Sequence, residues 1–256
     1  MPSYEEKLAD RIAATGARLC VGIDPRPEKM FGDLEGELSR LIEETAPFAA
    51  AFKPNIAYFE AMGSSGLAML ERLMAGIPDD IPRILDAKRG DIGTTAERYA
   101  DACFDVFGAD AVTVNAYLGF DTVEPYLRRP GKAVYLLAVT SNPGASDLET
   151  QMLADGRQVF ELVTSMAERA RDLPGDLGFV VGLTNAEGVL PKIPDAPLLI
   201  PGLGAQGGDL SVVDFDARKK PIVVNVSRGI LFGEEGEGYG DRAERFQGEL
   251  GVAPEV

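Results

Sequence analysis

The sequence predicts a (β/α)8 TIM barrel, and three observations lead there. Eight short apolar runs recur along 256 residues, helix-like stretches lie between them, and polar residues close the runs. The runs lack clean alternation, as strands buried on both faces of a parallel sheet do. Strand and helix then alternate about eight times, in a chain close to the roughly 250 residues typical of such a barrel. Asp24, Lys53, Lys88, Asn115, Ser141 and Arg228 each sit at the C-terminal end of a run. In a barrel those ends converge on one mouth, the usual site of catalysis. An open doubly wound sheet also alternates, but it would spread them along an edge, with a crevice only at the switch point. No linker, low-complexity tract or composition break divides the chain, so residues 1–256 read as a single domain.

The elements follow in order. In MPSYEEKLADRIAATGA, Leu8, Ile12 and their Ala neighbours form one helical stripe, with Gly16 as its stop. Glu5, Glu6, Lys7 and Asp10 leave no apolar core for a signal peptide, and no later stretch has the roughly 18 unbroken apolar residues of a membrane span. Strands are expected at RLCVGID (18–24), AAAFKP (49–54), RILDAK (83–88) and DAVTVN (110–115). Four more are expected at AVYLLAVT (133–140), LGFVVGL (177–183), APLLIPG (196–202) and PIVVNVS (221–227). The helix-like stretches are LEGELSRLIEETAPF, FEAMGSSGLAMLERLMAG, TTAERYADACFDVF, ERARDL and DRAERFQGEL.

Composition removes several kinds of chemistry. With 25 Lys+Arg against 41 Asp+Glu the formal charge is −16, too acidic for a general nucleic-acid surface. A few local cations still suffice for a small anionic ligand. The chain has no His, which excludes a Ser-His-Asp triad, an imidazole base and a His-ligated metal. Two cysteines, Cys20 and Cys103, build neither a disulfide scaffold nor a four-thiolate zinc site. The expected home is a reducing cytoplasm, with neither nucleic acid nor membrane as partner.

The densest constellation is Asp86-Ala-Lys88-Arg-Gly-Asp91. On an extended strand Asp86 and Lys88 point to the same side, and Gly90 lets the chain turn so that Asp91 enters the next loop or helix. An arbitrary D-x-K is usually a surface ion pair; here a buried-strand signature precedes it and a Gly follows. A lysine between two carboxylates stays a cation, a poor Schiff-base nucleophile and a good proton donor. The second signal is PGLGAQGGD followed by SRGI. Gly-rich turns expose N–H groups to anions, barrels often place a phosphate after strands seven and eight, and Arg228 adds a fork suited to it. A flexible loop with a solvated Arg is the plainer alternative. Neither G-x-x-x-x-G-K-[ST] nor a G-x-G-x-x-G after the first strand occurs, so no nucleotide triphosphate and no dinucleotide cofactor is suggested.

DAKRGDIGTT resembles the D-x-K-x-x-D-[IL] signature of the orotidine 5′-phosphate decarboxylase family, in the form of its longer bacterial subgroup. The resemblance extends through CVGIDPRPE, AFKPN, TVNAYLG, VTSNPGA, PGLGAQGGD and VNVSRGI, in order and each at a strand end. Alone, the D-x-K-x-x-D is shared with sugar-phosphate enzymes of the same fold. The resemblance implies a cofactor-free, metal-free homodimer acting on orotidine 5′-phosphate. In it Lys88 is the proton donor, Asp86 faces the substrate carboxylate, and Lys53 and Asp91 complete a Lys-Asp-Lys-Asp array. Asp24 and Lys53 are implied to bind ribose hydroxyls and Ser141 the pyrimidine edge. Gln206 would bridge a pyrimidine carbonyl and the phosphate, on a lid loop (201–212) that Pro201 opens as a further substrate-binding residue. Arg228 would clamp the phosphate beside the Ser227 and Arg228 N–H groups. Asp91 and Thr95 are implied to reach the neighbouring subunit's site. Ser227 departs from the pattern, standing where Gly is common before the Arg.

Read without the resemblance, Asp24 fits a turn cap before Pro25, Lys53 a surface lysine and Ser141 a turn residue. Two other functions compete. A sugar-phosphate enzyme of the same barrel, using magnesium on an acidic ligand at the end of strand two, would meet Lys53 at that place. A non-catalytic binding protein would have little reason to keep every charged member of the array.

Overall fold

The computed structural model describes residues 2–30, 32–185, 187–202, 210–215, 217–233 and 236–252. Eight strands form one wholly parallel sheet: β1 (Leu19–Ile23), β2 (Ala51–Pro54), β3 (Ile84–Arg89), β4 (Ala111–Val114), β5 (Ala133–Val139), β6 (Asp176–Val181), β7 (Leu198–Pro201) and β8 (Ile222–Val226). Their order is β2-β1-β8-β7-β6-β5-β4-β3. The two outer strands meet through the bridges Phe52–Arg83 and Asn55–Asp86, so the sheet curls into a nearly closed barrel. All eight expected strands are present.

Alternation along each strand divides the apolar residues between two cores. Val21, Phe52, Leu85, Val112 and Val224 face outward and pack under the helices. Cys20, Ala51, Ile84, Ala111, Tyr135 and Val223 fill the lumen, where α1 (Tyr4–Thr15) closes the floor with Tyr4 and Leu8. The Tyr4 and Tyr135 hydroxyls are 3.1 Å apart and their rings meet edge to face. Gly178 is obligatory here, because a Cβ on it would lie 2.8 Å from the Tyr135 ring. Ser3 and Glu6 form a capping box at the start of α1, and Gly16, at φ 65°, ends it as its sequence suggests.

The helices are less regular than the expected eightfold alternation. α2 (Leu34–Thr45) follows β1, and the stretch after β2 is split into α3 (Ile56–Glu60) and α4 (Gly63–Gly76), with Gly63 at φ 69° in the break. After β3, α5 (Gly93–Asp101) runs into a wider turn over Ala102–Val106. Between β4 and β5 stand only 3-10 turns and the one-turn α6 (Glu124–Leu127), with Pro125 as its second residue. α7 (Val159–Thr164) and α8 (Met166–Ala170) follow β5. Pro191, Pro194 and Pro197 then punctuate the path to β7 and reduce it to 3-10 turns among the described residues. α9 (Arg228–Leu231) and α10 (Tyr239–Glu249) close the chain. Among the described residues no helix is long and apolar enough to cross a membrane. Both cysteines are buried free thiols.

Candidate active site

Lys53 ends β2, and Asp86 and Lys88 lie on the neighbouring β3. Lys53 Nζ donates to Asp86 Oδ2 at 3.0 Å, and Lys88 Nζ donates to Asp86 Oδ1 at 2.6 Å. Lys53 is 4% exposed and Asp86 9%, whereas half of the Lys88 side chain meets solvent. Burial works against charge on Asp86, but the Lys53 and Lys88 ammonium groups outweigh it and hold the carboxyl well below its ordinary range. Burial likewise pulls Lys53 down, and the Asp86 and Asp24 carboxylates more than reverse it, raising the ammonium above its usual value. The central pair is therefore ionised across the whole neutral range. Beneath it the buried Cys20 thiol is pushed up to about 12 by desolvation and stays neutral.

Alternation correctly puts Asp86 and Lys88 on one side, but an extended strand does not produce their contact. Lys88 has φ 46°, the one positive value outside glycine among the described residues. The β3–β4 register shifts between Leu85 and Arg89 at the same point. Thr113 on β4 fills the irregularity. Its Oγ1 donates to Asp86 Oδ1 at 2.9 Å and accepts the N–H groups of Ala87 and Lys88, each at 3.0 Å.

Two adjoining cavities open at the mouth and share Lys53, Asp86, Ser141 and Pro201 as walls. One, of about 200 Å³, reaches Lys88 and Thr113 and is backed by the apolar Leu137, Val180 and Leu199. The other, of about 170 Å³, is polar and extends past Asp24 and Asn225 to Ser227 and Arg228. Asp24 Oδ1, Asn225 Oδ1 and Ser227 Oγ are buried there without hydrogen-bond partners. Three such atoms around one space suit a polar ligand, since each costs free energy while unpaired. Gly22 permits this corner, because a Cβ on it would stand 2.7 Å from Ser227 Cβ. A larger cavity, about 560 Å³, lies at the other end of the barrel beside α1. Among its charged groups, Lys220 pairs with Glu5 within the cavity wall, and Arg218 donates to the Ile193 and Pro194 carbonyls. Convergent charge, rather than volume, locates the site.

The mouth brings together Asp24, Lys53, Asp86, Lys88, Ser141, Pro201, Ser227 and Arg228. Asn115 does not join them; its Oδ1 caps a 3-10 turn by accepting the Tyr117 N–H at 3.0 Å. Asp91 and Thr95 line neither cavity of their own chain. Asp91 Oδ1 accepts the adjacent Ile92 N–H at 2.8 Å, and Thr95 is exposed on α5. Gln206 lies outside the described residues. Sequence reasoning missed Thr113 and Asn225. The available signal was parity, each standing two residues before a strand-end polar residue (Asn115, Ser227) and so on the same strand face.

Comparison with known proteins bears on the family and the fold. Residues 17–237 match the orotidine 5′-phosphate decarboxylase / HUMPS family. A Variovorax paradoxus protein named orotidine 5′-phosphate decarboxylase is 44% identical over 95% of this chain and 94% of its own. The structure of Leishmania donovani OMP decarboxylase superposes with a TM-score of 0.84 at 36% identity, covering 97% of each chain. Leishmania donovani UMP synthase gives 0.87 at 38% identity, over 98% of this chain but only 56% of that longer one. With the match spanning most of the chain and relatives well above a third identical, the chain belongs to the orotidine 5′-phosphate decarboxylase / HUMPS family, a family of enzymes whose named relatives here are carboxy-lyases.

Proposed function

We propose that the protein converts orotidine 5′-phosphate to uridine 5′-phosphate and carbon dioxide without metal or organic cofactor. The observation that carries this reading is the Lys53–Asp86–Lys88 array, its first two members buried, set against a small, apolar-backed cavity. That cavity continues into a polar one ending at Arg228. A flat pyrimidine suits the first, with Ser141 at its edge; ribose hydroxyls suit Asp24 and Lys53; the phosphate suits Arg228 and Ser227, with Pro201 on the wall common to both cavities.

In the reaction the bond from the ring carbon to the carboxylate breaks, its electron pair stays on the ring carbon, and carbon dioxide departs. Asp86, an anion throughout, faces the carboxylate, so departure relieves a repulsion. Lys88 stabilises the carbanion by its charge and delivers the proton that replaces the carboxylate. Its half-exposed side chain then recovers a proton from solvent. Lys53 keeps Asp86 ionised and fixed, so the electrostatics are organised before substrate arrives. Binding of the phosphate, remote from the ring, supplies free energy that supports the chemical step. A buried ammonium at the end of β2 also repels a divalent cation, which disfavours a magnesium-dependent sugar-phosphate reaction.

The working form is a cytoplasmic homodimer in which Asp91 and Thr95 complete the partner's site. Supporting this, neither lines a cavity of its own chain, and Ile92, next to Asp91, exposes an apolar side chain, as Tyr117 and Leu118 do in the turn after β4. The deciding experiment is an ultraviolet assay of orotidine 5′-phosphate with EDTA present. Loss of the carboxylated-pyrimidine absorbance is expected to continue at an unchanged rate. Metal-dependent turnover of a sugar phosphate instead, or binding without turnover, would replace the proposal.

A further inference from the structure

We infer that Thr113 is a positioning residue for the charge array: its hydroxyl fixes the Asp86 carboxylate and holds the Lys88 backbone in the left-handed conformation that lands Nζ on that carboxylate. The inference rests on reading Asp86 and Lys88 as the reacting pair, and it adds an uncharged residue that lies outside the D-x-K-x-x-D-[IL] stretch.

A threonine hydroxyl has one proton to donate and two lone pairs to accept with. All three are used here, by Asp86 Oδ1 and by the N–H groups of Ala87 and Lys88. Thr113 is 1% exposed, so water is a poor substitute for any of them. In a regular parallel ladder the N–H groups of a strand alternate between its two neighbours and pair with their carbonyls. The register shift between Leu85 and Arg89 removes that pairing, and the side chain replaces it. A residue with a Cβ holds a positive φ only where its surroundings impose it, and two N–H groups converging on one oxygen are such an imposition. The third bond joins this bent backbone to the chemistry. Asp86 Oδ1 receives both Lys88 Nζ and the Thr113 hydroxyl, while Oδ2 receives Lys53. Thr113 thus sets the carboxylate plane without altering the charge balance between the two ammonium groups. Its β-branch, stiff at χ1, suits it to the task better than a freely rotating serine.

The test compares Thr113→Val, which keeps shape and removes the hydroxyl, with Thr113→Ser, which keeps the hydroxyl. Turnover of orotidine 5′-phosphate and amide hydrogen exchange at Ala87 and Lys88 are read on the intact protein. Thr113→Val is expected to lower kcat about 10- to 150-fold, the value of a hydrogen bond to a charged group, with KM within about threefold of wild type. The Lys88 and Ala87 amides should exchange markedly faster than in wild type. Thr113→Ser should recover most of the missing kcat and the slow exchange. Should Thr113→Val not fold, Thr113→Ala, compared with Thr113→Ser at equal folded fraction, carries the same two readouts. Wild-type kcat in a variant lacking the hydroxyl, or unchanged exchange at Lys88, overturns the inference. If the wild-type protein does not turn over orotidine 5′-phosphate, the functional proposal fails by itself, and the exchange measurement still decides whether Thr113 holds this backbone.

Discussion

Replacing Asp86 with Asn should cost stability as well as activity, although the residue faces a solvent-filled mouth. Lys53 and Asp86 are 4% and 9% exposed and joined at 3.0 Å. Asn keeps the volume but leaves a buried ammonium without its nearest counter-ion, and breaking a buried pair from one side costs about 3–5 kcal/mol. Asp24 still faces Lys53 and moderates the loss, so the lower end, about 3 kcal/mol, is expected. For a chain of this size each kcal/mol is worth about 2–4 °C, which makes the fall in Tm about 6–12 °C. Differential scanning calorimetry at pH 7 measures it directly. The double variant Lys53→Met/Asp86→Leu removes both members of the buried pair, leaving only Asp24 and the half-exposed Lys88 without those partners, and should regain at least half of the difference. The pH dependence carries a sign. Asp86 is depressed, so its contribution is present above its unfolded value near 4 and is lost as pH falls through the lower folded one. Lys53 is raised, so its contribution is present below its unfolded value near 10.4 and is lost as pH rises through the higher folded one. The Tm gap between wild type and the double variant should therefore stay constant from about pH 5 to 9. A Tm for Asp86→Asn within about 2 °C of wild type would show that the pair is not the buried, mutually dependent unit described here.

Three further outcomes follow from the same geometry. Lys88→Ala should lose about 10⁴-fold or more in kcat, since it removes both cation and proton donor, yet keep its Tm because the side chain is half exposed; a variant within tenfold of wild type eliminates Lys88 as the donor. Asp91→Asn and Lys88→Ala homodimers should each be nearly inactive, and subunit exchange between them should restore about a quarter of wild-type activity through one intact site per mixed dimer; no recovery despite exchange returns Asp91 to its own chain. Arg228→Ala should lower kcat/KM by roughly 30- to 5,000-fold, the expected cost of removing a charged hydrogen-bonding group from an enclosed site, with partial rescue by guanidinium; unchanged kinetics remove the phosphate from the end of β8.

The barrel was legible because buried parallel strands leave unbroken apolar runs whatever packs outside them. All eight runs became strands, while the helix expected across FEAMGSSGLAMLERLMAG is split at Gly63, and the layer departs from one helix per strand where Pro191 to Pro197 punctuate it. Lys53, Asp86 and Lys88 were legible because a charge ending an apolar run has few places to go. Asn115 satisfied the same rule and turned to cap its own loop, a choice made by local hydrogen bonding that periodicity does not record. Thr113 was illegible for the opposite reason. A threonine inside a strand reads as β-propensity, and the donors that make it distinctive arrive from β3, 25 and 26 residues away.

The floor of the barrel has a consequence for the order in which the chain is assembled. α1 leaves the ribosome before any strand of the barrel, and its partners are made much later. The Tyr4 hydroxyl meets Tyr135, 131 residues on, and the Glu5 N–H meets Asp176, 171 residues on. Lys7 pairs with Asp110, and the Glu5 carboxylate with Lys220 near the far end. At about 5–20 residues per second, roughly 7–26 s separate the synthesis of Tyr4 from that of Tyr135. During that interval α1 has its capping box but no lumen to enter, and a twelve-residue helix is marginal alone in water. A helix made before every strand is thus among the last elements to dock, and its seating reports that β4, β5 and β6 have found one another. Pulse-labelled hydrogen exchange during refolding should accordingly find the α1 amides protected in the final phase, together with closure of the ring.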